Sequence, residues 1–465
     1  MTVQEKFEKQ IEENREAMLK DLAALVAVNS ARGETKPGAP FGEGPLKALQ
    51  TFLAMAERMG FKTDNVDNYA GAVEYGDGAE SVGVLAHLDV VPAGKGWDTD
   101  PFVMTEKDGR FYGRGTTDDK GAAIAALYGM KMIRDLGLPL KRKIQLIVGT
   151  NEEEGSAGLE YYKAHRPCPV MGFTPDADYP LINGEKGTYF NWLKFPLEQT
   201  PILEMNGGIV FNAVPSECTV KIDGSAISVD DLKASLKKDD TLDLGASVEK
   251  DADGNTILTV KGRAAHGSTP ELGVNAIVSA AAVLCRALGM RAGKMMFFLR
   301  DKIGRDPYGQ NVGIAMEDME SGKLSLNVGM IRYNSAEQKL AVDIRFPVSA
   351  TVELMKNKYD KMAAANGLTY TVTQPAEPHF VSRDSELVTK LVSVYRNVMH
   401  DPEAKSFSIG GGTYAKTMGN NFVAFGPEFP NRENLRIHDV NEHMILEDYL
   451  KHCLISTLAV YELCR

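Results

Sequence analysis

The chain has 465 residues, 43% of them hydrophobic, which predicts two or more domains with sizeable cores. Its formal net charge of -11 argues against nucleic acid or an anionic membrane surface as a partner. The segment Met1–Asp21 lacks the apolar core of a signal peptide, and Ala276–Leu284, the nearest approach to a membrane span, is too short. Five scattered cysteines without a C-x-x-C pair favour a reducing cytoplasm over a disulfide framework or a Cys-ligated zinc.

The first part of the chain alternates predicted helices and strands, which indicates βαβ units and a mainly parallel sheet flanked by helices, an α/β fold. A surface helix should run to about Val28, and the predicted elements that follow are a helix Leu46–Met59, a strand pair near Ala72–Tyr75 and Val82–Leu85, a helix Gly121–Leu136, and strands Ile144–Val148 and Val170–Phe173.

The pattern changes around Asn183–Gly187. From there to about Phe380 we predict strands with two amphipathic helices, near Val274–Leu288 and Val352–Asn366, which indicates an α+β domain. Pro375–Pro378 is interpreted as a linker back. A helix Ser385–Met399, a strand Phe422–Phe425 and a terminal helix from Glu447 then resume the first pattern. The predicted organisation is a catalytic domain, 1–185 and 383–465, interrupted by an inserted domain, 186–382.

Acidic and imidazole residues follow the predicted strands. His87 and Asp89 end one strand, Glu152–Glu154 follow another, Asp176 follows a third, and Thr116–Lys120 precede a helix. Each has an ordinary explanation by itself, such as a helix cap or a solvated face, but strand ends of an open α/β sheet converge on one crevice. Carboxylates held together repel unless a cation lies between them, and His with carboxylates suits zinc, with manganese or cobalt as alternatives.

Such a site predicts hydrolysis by a water molecule bound between two ions, with one carboxylate left off the metal as a base. Spacing alone does not decide which of Glu152 and Glu153 is the base, nor whether Asp118 or Asp119 bridges the ions.

Several motifs in order along the chain resemble those of the dinuclear zinc peptidases that include aminoacylases, carnosinases and succinyl-diaminopimelate desuccinylases. They are AHLDVVP, GWDTDPF, YGRGTTDDKG, TNEEEGS, TPDADYP, GRAAHGSTP, GGGTYAK and the late His438. Within that family the chain is most similar to bacterial PepV-type dipeptidases. The resemblance implies a dipeptidase whose ferredoxin-like lid has two similar halves and whose catalytic unit is a monomer.

The resemblance also implies a role for each matching residue. His87 and Asp176 would bind one zinc ion, Glu153 and His438 the other, and Asp118 would bridge them, with a cis peptide to Asp119. Asp89 would orient His87, and Glu152 would be the general base. His266 of the inserted domain would stabilise the oxyanion, and the substrate's C-terminal carboxylate would meet Asn212, Arg345 and the glycine loop with Gly411, Gly412 and Thr413.

Some alternatives stay open. An N-acyl amino acid deacylase or a carboxypeptidase would share this chemistry, and a catalytically silent peptide- or metal-binding homologue would share the fold. His266 and Arg345 also have explanations without a functional role: His266 as an ordinary loop histidine, and Arg345 as the partner of a surface acid. Lys416 replaces an arginine expected in many relatives, and Asp119 and Glu154 are both candidates for the substrate's amino group.

Overall fold

The computed structural model describes residues 1–236, 245–419 and 421–465. These residues form two compact units. Unit 1 comprises Met1–Asn183, Phe380–Phe407 and Gly412–Arg465, and unit 2 comprises Gly184–His379 and Ser408–Gly411. The predicted domain boundaries, at 185/186 and 382/383, stay predictions, because a compact unit need not fold independently.

The elements of the first segment are, in chain order, α1 (Val3–Val26), α2 (Glu43–Arg58), β1 (Lys62–Val66), β2 (Ala70–Tyr75), β3 (Ser81–His87), β4 (Thr105–Lys107), β5 (Arg110–Tyr112), α3 (Lys120–Asp135), β6 (Lys143–Gly149), α4 (Ala157–His165), β7 (Met171–Thr174) and β8 (Ala177–Asp178). The chain then forms β9 (Ile182–Glu185), β10 (Gly187–Lys194), β11 (Ile202–Gly207), β12 (Glu217–Ile222), α5 (Val229–Leu236), β13 (Ala246–Lys250), β14 (Thr256–Lys261), α6 (Ala276–Leu288), α7 (Lys294–Phe298), β15 (Glu317–Asp318), β16 (Gly322–Lys323), β17 (Ser325–Tyr333), β18 (Gln338–Phe346), α8 (Val352–Asn366) and β19 (Thr369–Ala376). The last segment holds β20 (His379–Phe380), α9 (Glu386–Met399), β21 (Phe407–Ile409), α10 (Tyr414–Met418), β22 (Phe422–Ala424), β23 (Pro427–Glu428), β24 (His443–Ile445) and α11 (Leu446–Cys464).

The main sheet of unit 1 runs in the order β1-β2-β6-β3-β7-β22. Its middle is parallel, since β3 pairs in parallel with both β6 and β7, and β22 pairs in parallel with β7. The predicted pairing of β2 with β3 is wrong. Strand β6 lies between them, paired antiparallel to β2 and parallel to β3. Strands β2 and β3 are neighbours in the chain but not in the sheet, because the crossover through α3 brings β6 between them.

Helices of unit 1 bury their apolar faces against this sheet and one another. Helix α1 begins with a capping box between Thr2 and Glu5, which pairs backbone donors that a helix start leaves open. Helix α3 packs on α1 and α11, and α11 also packs on α9. Phe52, Ile124, Leu146 and Phe173 are all fully buried in this unit.

Unit 2 is built on a second, antiparallel sheet in the order β13-β14-β12-β11-β17-β18-β10-β19. Helix α6 packs on β12, β14 and β17, and α8 packs on β10 and β19, so each half of the sheet has a covering helix. The unit has its own apolar core, which includes Met205, Leu258, Ile277 and Phe346. The interpretation of Pro375 as a linker is wrong, because Pro375 lies within β19 opposite Tyr189.

The structure confirms the predicted fold class: an α/β unit with a mainly parallel sheet, interrupted by an α+β insertion. The predicted helix Val352–Asn366 has the same bounds as α8. None of the helices in the described part of the chain is both long and apolar enough to cross a membrane.

Candidate metal centre

The candidate centre of unit 1 lies where three neighbouring parallel strands end. Strand β3 ends at His87, β6 ends at Gly149 just before Glu152 and Glu153, and β7 ends at Thr174 just before Asp176. Because parallel strands direct their carboxyl ends to one edge of a sheet, these side chains are brought together by the topology.

Two sets of candidate ligands meet at this edge. One ligand atom from each of His87, Glu152 and Asp176 lies within 4.8 Å of the other two, and the same holds for His87, Asp118 and Glu153. Nε2 of His87 is 3.8 Å from Oδ2 of Asp176. The site therefore has one imidazole common to both sets, surrounded by carboxylates.

The Asp118 carboxylate lies between two imidazoles. Its Oδ1 is 2.9 Å from Nε2 of His87, and its Oδ2 is 2.9 Å from Nε2 of His438. Nε2 of His438 is also 3.0 Å from Oε2 of Glu153. The peptide bond from Asp118 to Asp119 is cis, as the resemblance implied.

The loop that carries His438 contains three residues other than glycine in a left-handed backbone conformation. Arg436, His438 and Asn441 adopt positive φ angles of 59°, 63° and 61°. Side chains other than glycine adopt this conformation at a cost, and such strain concentrates at functional sites.

Asp89 contacts the site in a way that the sequence did not indicate. Nδ1 of His87 is 3.0 Å from the backbone oxygen of Asp89, and the Asp89 carboxylate is further off, at 3.5 Å. That carboxylate instead accepts the backbone N–H groups of Glu152 and Glu153, at 3.0 and 3.2 Å. Asp119 is fully buried, and its Oδ2 accepts the backbone N–H of His87 at 3.1 Å.

Glu442 is a part of the site that sequence analysis missed. Its fully buried carboxylate accepts a hydrogen bond from Nη1 of Arg114 at 2.7 Å and from the backbone N–H groups of Gly115, Thr117 and Asp118 at 3.0, 3.1 and 3.2 Å. It thereby fixes the loop that presents Asp118. No spacing rule signals such a partner, because it lies 324 positions away in the chain.

The crowding of charge shifts several pKa values. Burial raises the pKa of Glu152 to about 7, with repulsion from Asp118 and Glu153 adding to it against the attraction of His87. Burial and the Asp118 charge raise the pKa of Asp176 well above its ordinary value. Hydrogen bonds to Asp118 and Glu153 raise the pKa of His438 to about 10. Without a cation, the cluster therefore retains protons that isolated side chains would release.

These residues fit a divalent cation. Nδ1 of His87 donates to a backbone oxygen in the neutral ring, which directs the lone pair of Nε2 at the carboxylates. Asp118 Oδ1 is buried and accepts no hydrogen bond, although it lies beside that nitrogen. An imidazole lone pair and a carboxylate oxygen that face each other share a cation readily, and this set of nitrogen and oxygen donors without sulfur suits zinc or manganese.

A cavity of about 220 Å³ opens on the cluster. Gly412 and Thr413 line it, together with Asp118, Asp176 and His438. Thr413 caps α10, since its hydroxyl accepts the backbone N–H of Ala415. Glu428, another residue that sequence analysis did not single out, lines the same cavity, and burial raises its pKa to about 7.

Three predicted residues of unit 2 also lie near one another. The segments of Asn212 and His266 run side by side: Asn212 O accepts the N–H of Gly267 at 2.7 Å, and Ala213 forms a β-bridge with His266. The Arg345 guanidinium donates to Asp343 from Nε and Nη2, at 2.7 and 3.2 Å, and to Gly410 O from Nη1 at 2.8 Å.

The Arg345 guanidinium also lies 4.7 Å from the ring centre of Phe190. Arg345 is thus buried and contacts Asp343, Gly410 and Phe190. The alternative of an ion pair with a surface acid is therefore wrong. The predicted glycine loop is divided, because Gly410 and Gly411 belong to unit 2, whereas Gly412 and Thr413 belong to unit 1.

Comparison with known proteins identifies the family of the chain. The model of peptidase family M20/M25/M40 matches residues 83–462, from β3 into α11. The chain belongs to this family. Its members are metallopeptidases, so the chain is a hydrolase that uses divalent metal.

Two bacterial relatives match over nearly their whole length. The chain is 35% identical to the putative dipeptidase YtjP of Bacillus subtilis, covering 99% of this chain and 100% of the relative. It is also 35% identical to the Beta-Ala-Xaa dipeptidase of Lactobacillus delbrueckii subsp. lactis, covering 99% and 98%.

Solved structures share the fold at low identity. Human carnosine dipeptidase 1 aligns with a TM-score of 0.59 at 17% identity over 99% of each chain. The di-peptidase Dug1p of Saccharomyces cerevisiae aligns with a TM-score of 0.57 at 14% identity, over 99% of this chain and 98% of the other. This likeness supports the two-part architecture.

Proposed function

We propose that the chain is a dipeptidase that hydrolyses the amide bond of dipeptides with two divalent cations, zinc or else manganese or cobalt. The observation that carries this proposal is the Asp118 carboxylate, which turns one oxygen to His87 and the other to His438. A carboxylate in that position suits a bridge between two ions. The names of the bacterial relatives support the dipeptide as substrate.

His87 and Asp176 would hold one cation, Glu153 and His438 the other, and Asp118 would contact both. Bound there, the cations would polarise the scissile carbonyl and lower the pKa of a water molecule. Glu442, through its hydrogen bonds to the loop of Asp118, keeps the shared ligand in position.

Glu152 is the proposed general base. It accepts a proton from the attacking water and passes it to the nitrogen of the leaving amino acid, so that the amide bond breaks as a neutral amine forms. Asp89 supports this role, because its carboxylate holds the backbone N–H groups of Glu152 and Glu153.

Residues of the insertion would recognise the rest of the substrate. His266 would donate a hydrogen bond to the carbonyl oxygen as negative charge develops there. Arg345 would bind the substrate's C-terminal carboxylate. A guanidinium has five N–H donors, and the contacts to Asp343 and Gly410 use one on each nitrogen, which leaves one on each terminal nitrogen. Asn212, Gly411, Gly412 and Thr413 would complete this binding.

A substrate panel tests the proposal. The metal-loaded protein should cleave dipeptides rapidly, tripeptides much more slowly, and N-acetyl amino acids least. Fast cleavage of an N-acetyl amino acid with dipeptides untouched would indicate a deacylase, and fast release of the last residue from longer peptides a carboxypeptidase. No cleavage of any of them, with metal bound, would indicate a silent homologue.

We also propose a monomeric catalytic unit in the cytoplasm. The long insertion resembles the two-part lid of PepV-type dipeptidases, in which one chain supplies its own histidine, here His266, and this resemblance supports activity without a second copy. All five cysteines are unpaired, which supports a reducing compartment. Light scattering of the active enzyme should give the mass of one chain, and a dimer that loses activity on dilution would contradict this.

A further inference from the structure

Two groups of one residue, Ser268, converge on a single ring nitrogen of His266. Nδ1 of His266 lies 2.6 Å from the Ser268 hydroxyl oxygen, and it accepts the backbone N–H of Ser268 at 3.3 Å. A backbone N–H can only donate, so Nδ1 must present a lone pair. In the neutral imidazole the proton is then on Nε2, and the serine hydroxyl donates to Nδ1 as well.

We propose that Ser268 is a positioning residue that holds the neutral His266 in the tautomer with its proton on Nε2. In that form Nε2 of His266 can donate a hydrogen bond. The contacts of Nδ1 with Ser268 keep this unprotonated nitrogen from facing the substrate. The inference deepens the proposed function, since it rests on His266 donating to the substrate's carbonyl oxygen.

The segment around Ser268 is itself held in place. Thr269 N donates to His266 O at 3.0 Å, and Gly267 N donates to Asn212 O at 2.7 Å. Gly410 lies so close to Ser268 that any side chain at position 410 would strike the serine Cβ. Gly410 is also the residue whose oxygen accepts from Arg345. The histidine, the arginine and the glycine loop therefore share one network.

Burial and the positive charge of Arg345 favour the neutral form of His266. The pKa of His266 is lowered from its ordinary value, first by desolvation and then by the positive charge of Arg345, against a smaller opposite effect of Asp343. At pH 7 and above the ring is neutral, and its two tautomers differ in whether they can donate from Nε2.

Nitrogen NMR measures the tautomer directly. In protein labelled with 15N at the histidine ring, the two nitrogens of a neutral imidazole have different shifts according to which one carries the proton. The His266 signals are assigned by their loss in His266→Ala. We expect Nε2 protonated and Nδ1 unprotonated in the wild type at pH 8. In Ser268→Ala only the backbone N–H of residue 268, at 3.3 Å, still favours a lone pair on Nδ1, so we expect part of the population to shift to the tautomer protonated on Nδ1.

Kinetics measure the consequence with L-alanyl-L-alanine as the probe. Ser268→Ala should lower kcat about 5- to 30-fold and leave KM within about twofold, a smaller loss than the about 10²–10³-fold expected for removing the donor itself with His266→Ala. Thr269→Ala is the matched control, because it removes a hydroxyl from the next residue of the loop and should change neither the tautomer nor kcat.

The outcomes separate the two proposals. A wild-type His266 with its proton on Nδ1, or an unchanged tautomer in Ser268→Ala, overturns the role of Ser268 whatever the activity. A wild-type Nε2 tautomer together with full activity of His266→Ala leaves the positioning by Ser268 standing and overturns the proposed role of His266 in hydrolysis. Only a lower kcat together with a partial loss of the Nε2 tautomer in Ser268→Ala supports both proposals.

Discussion

At the scale of single residues, the two adjacent acids Asp118 and Asp119 have different surroundings. Both oxygens of Asp118 face imidazole nitrogens, whereas Asp119 turns an oxygen to the backbone N–H of His87. Sequence spacing left open which of them bridges two ions. The geometry favours Asp118 as the shared ligand, with Asp119 as a support for His87.

Replacing Glu152 by glutamine should lower kcat by about 10²–10⁴-fold, because the variant cannot accept a proton from water. Metal content, measured by elemental analysis, should stay at the wild-type value. Glu160→Gln is the control, since Glu160 on α4 is exposed and pairs with Lys163 at 3.5 Å. Unchanged turnover of a good dipeptide by Glu152→Gln would exclude Glu152 as the base.

The raised pKa values predict a pH dependence of metal stabilisation. In the metal-free protein the pKa of His438 is about 10 and that of Asp176 lies well above its ordinary value, so both proposed ligands hold protons that isolated side chains would release. A cation must displace such protons, so its apparent affinity rises as the pH rises. The difference in unfolding temperature between metal-loaded and chelator-treated protein should therefore widen from pH 5 to pH 7. A difference in unfolding temperature that narrows from pH 5 to pH 7 would contradict the raised pKa values.

At the scale of elements, one buried carboxylate from the segment before β24 organises the loop before α3. Glu442 and Arg114 are both almost completely buried, and the same carboxylate accepts three backbone N–H groups of the loop. A buried charge with this many donors is costly to leave unpaired. The position of Asp118 therefore depends on an element far away in the chain.

Glu442→Gln should lower the free energy of unfolding by about 3–5 kcal/mol, because it leaves the Arg114 charge buried without its partner. It should also lower metal occupancy after dialysis, since the Asp118 loop loses its anchor. Glu433→Gln is the control, because it breaks the exposed pair with Arg110 in the same unit and should change little. Urea unfolding and elemental analysis measure both effects, and equal behaviour of the two variants would contradict the role of Glu442.

Elements with strong local signals were predictable from sequence. The amphipathic pattern predicted α8, and the apolar run of β3 predicted where His87 lies. Strand pairing was not predictable in the same way, because it depends on which strand a crossover returns. The short helices α4 and α10 lack a long apolar period and were missed. Glu442 was missed because nothing local distinguishes a buried acid from a solvated one.

At the scale of the whole molecule, the two compact units have separate apolar cores. The candidate metal ligands all belong to unit 1, whereas Asn212, His266 and Arg345 belong to unit 2. The change of sequence pattern was enough to predict an insertion. The assignment of residues 408–411 to unit 2 was not predictable, because it depends on pairing of that short segment with distant residues such as Lys186.

Chelation should loosen unit 1 and spare unit 2. Removing the cation leaves the carboxylates of the cluster to repel one another, so hydrogen exchange followed by mass spectrometry should become faster at 115–121, 150–156 and 436–443. Peptides from α6 and α8 are internal controls and should exchange at their original rates. Faster exchange in the core of unit 2 to the same extent would contradict separate stabilisation of the two cores.

The dependence of Asp118 on Glu442, and the contribution of His438 to the same cluster, has a consequence for biosynthesis. The ribosome makes strands β3, β6 and β7, and the proposed ligands that follow them, long before it reaches His438 and Glu442. A nascent chain therefore has an incomplete set of the proposed ligands until His438 has been translated. Binding of cations by the full set of proposed ligands would thereby have to follow translation of residue 442.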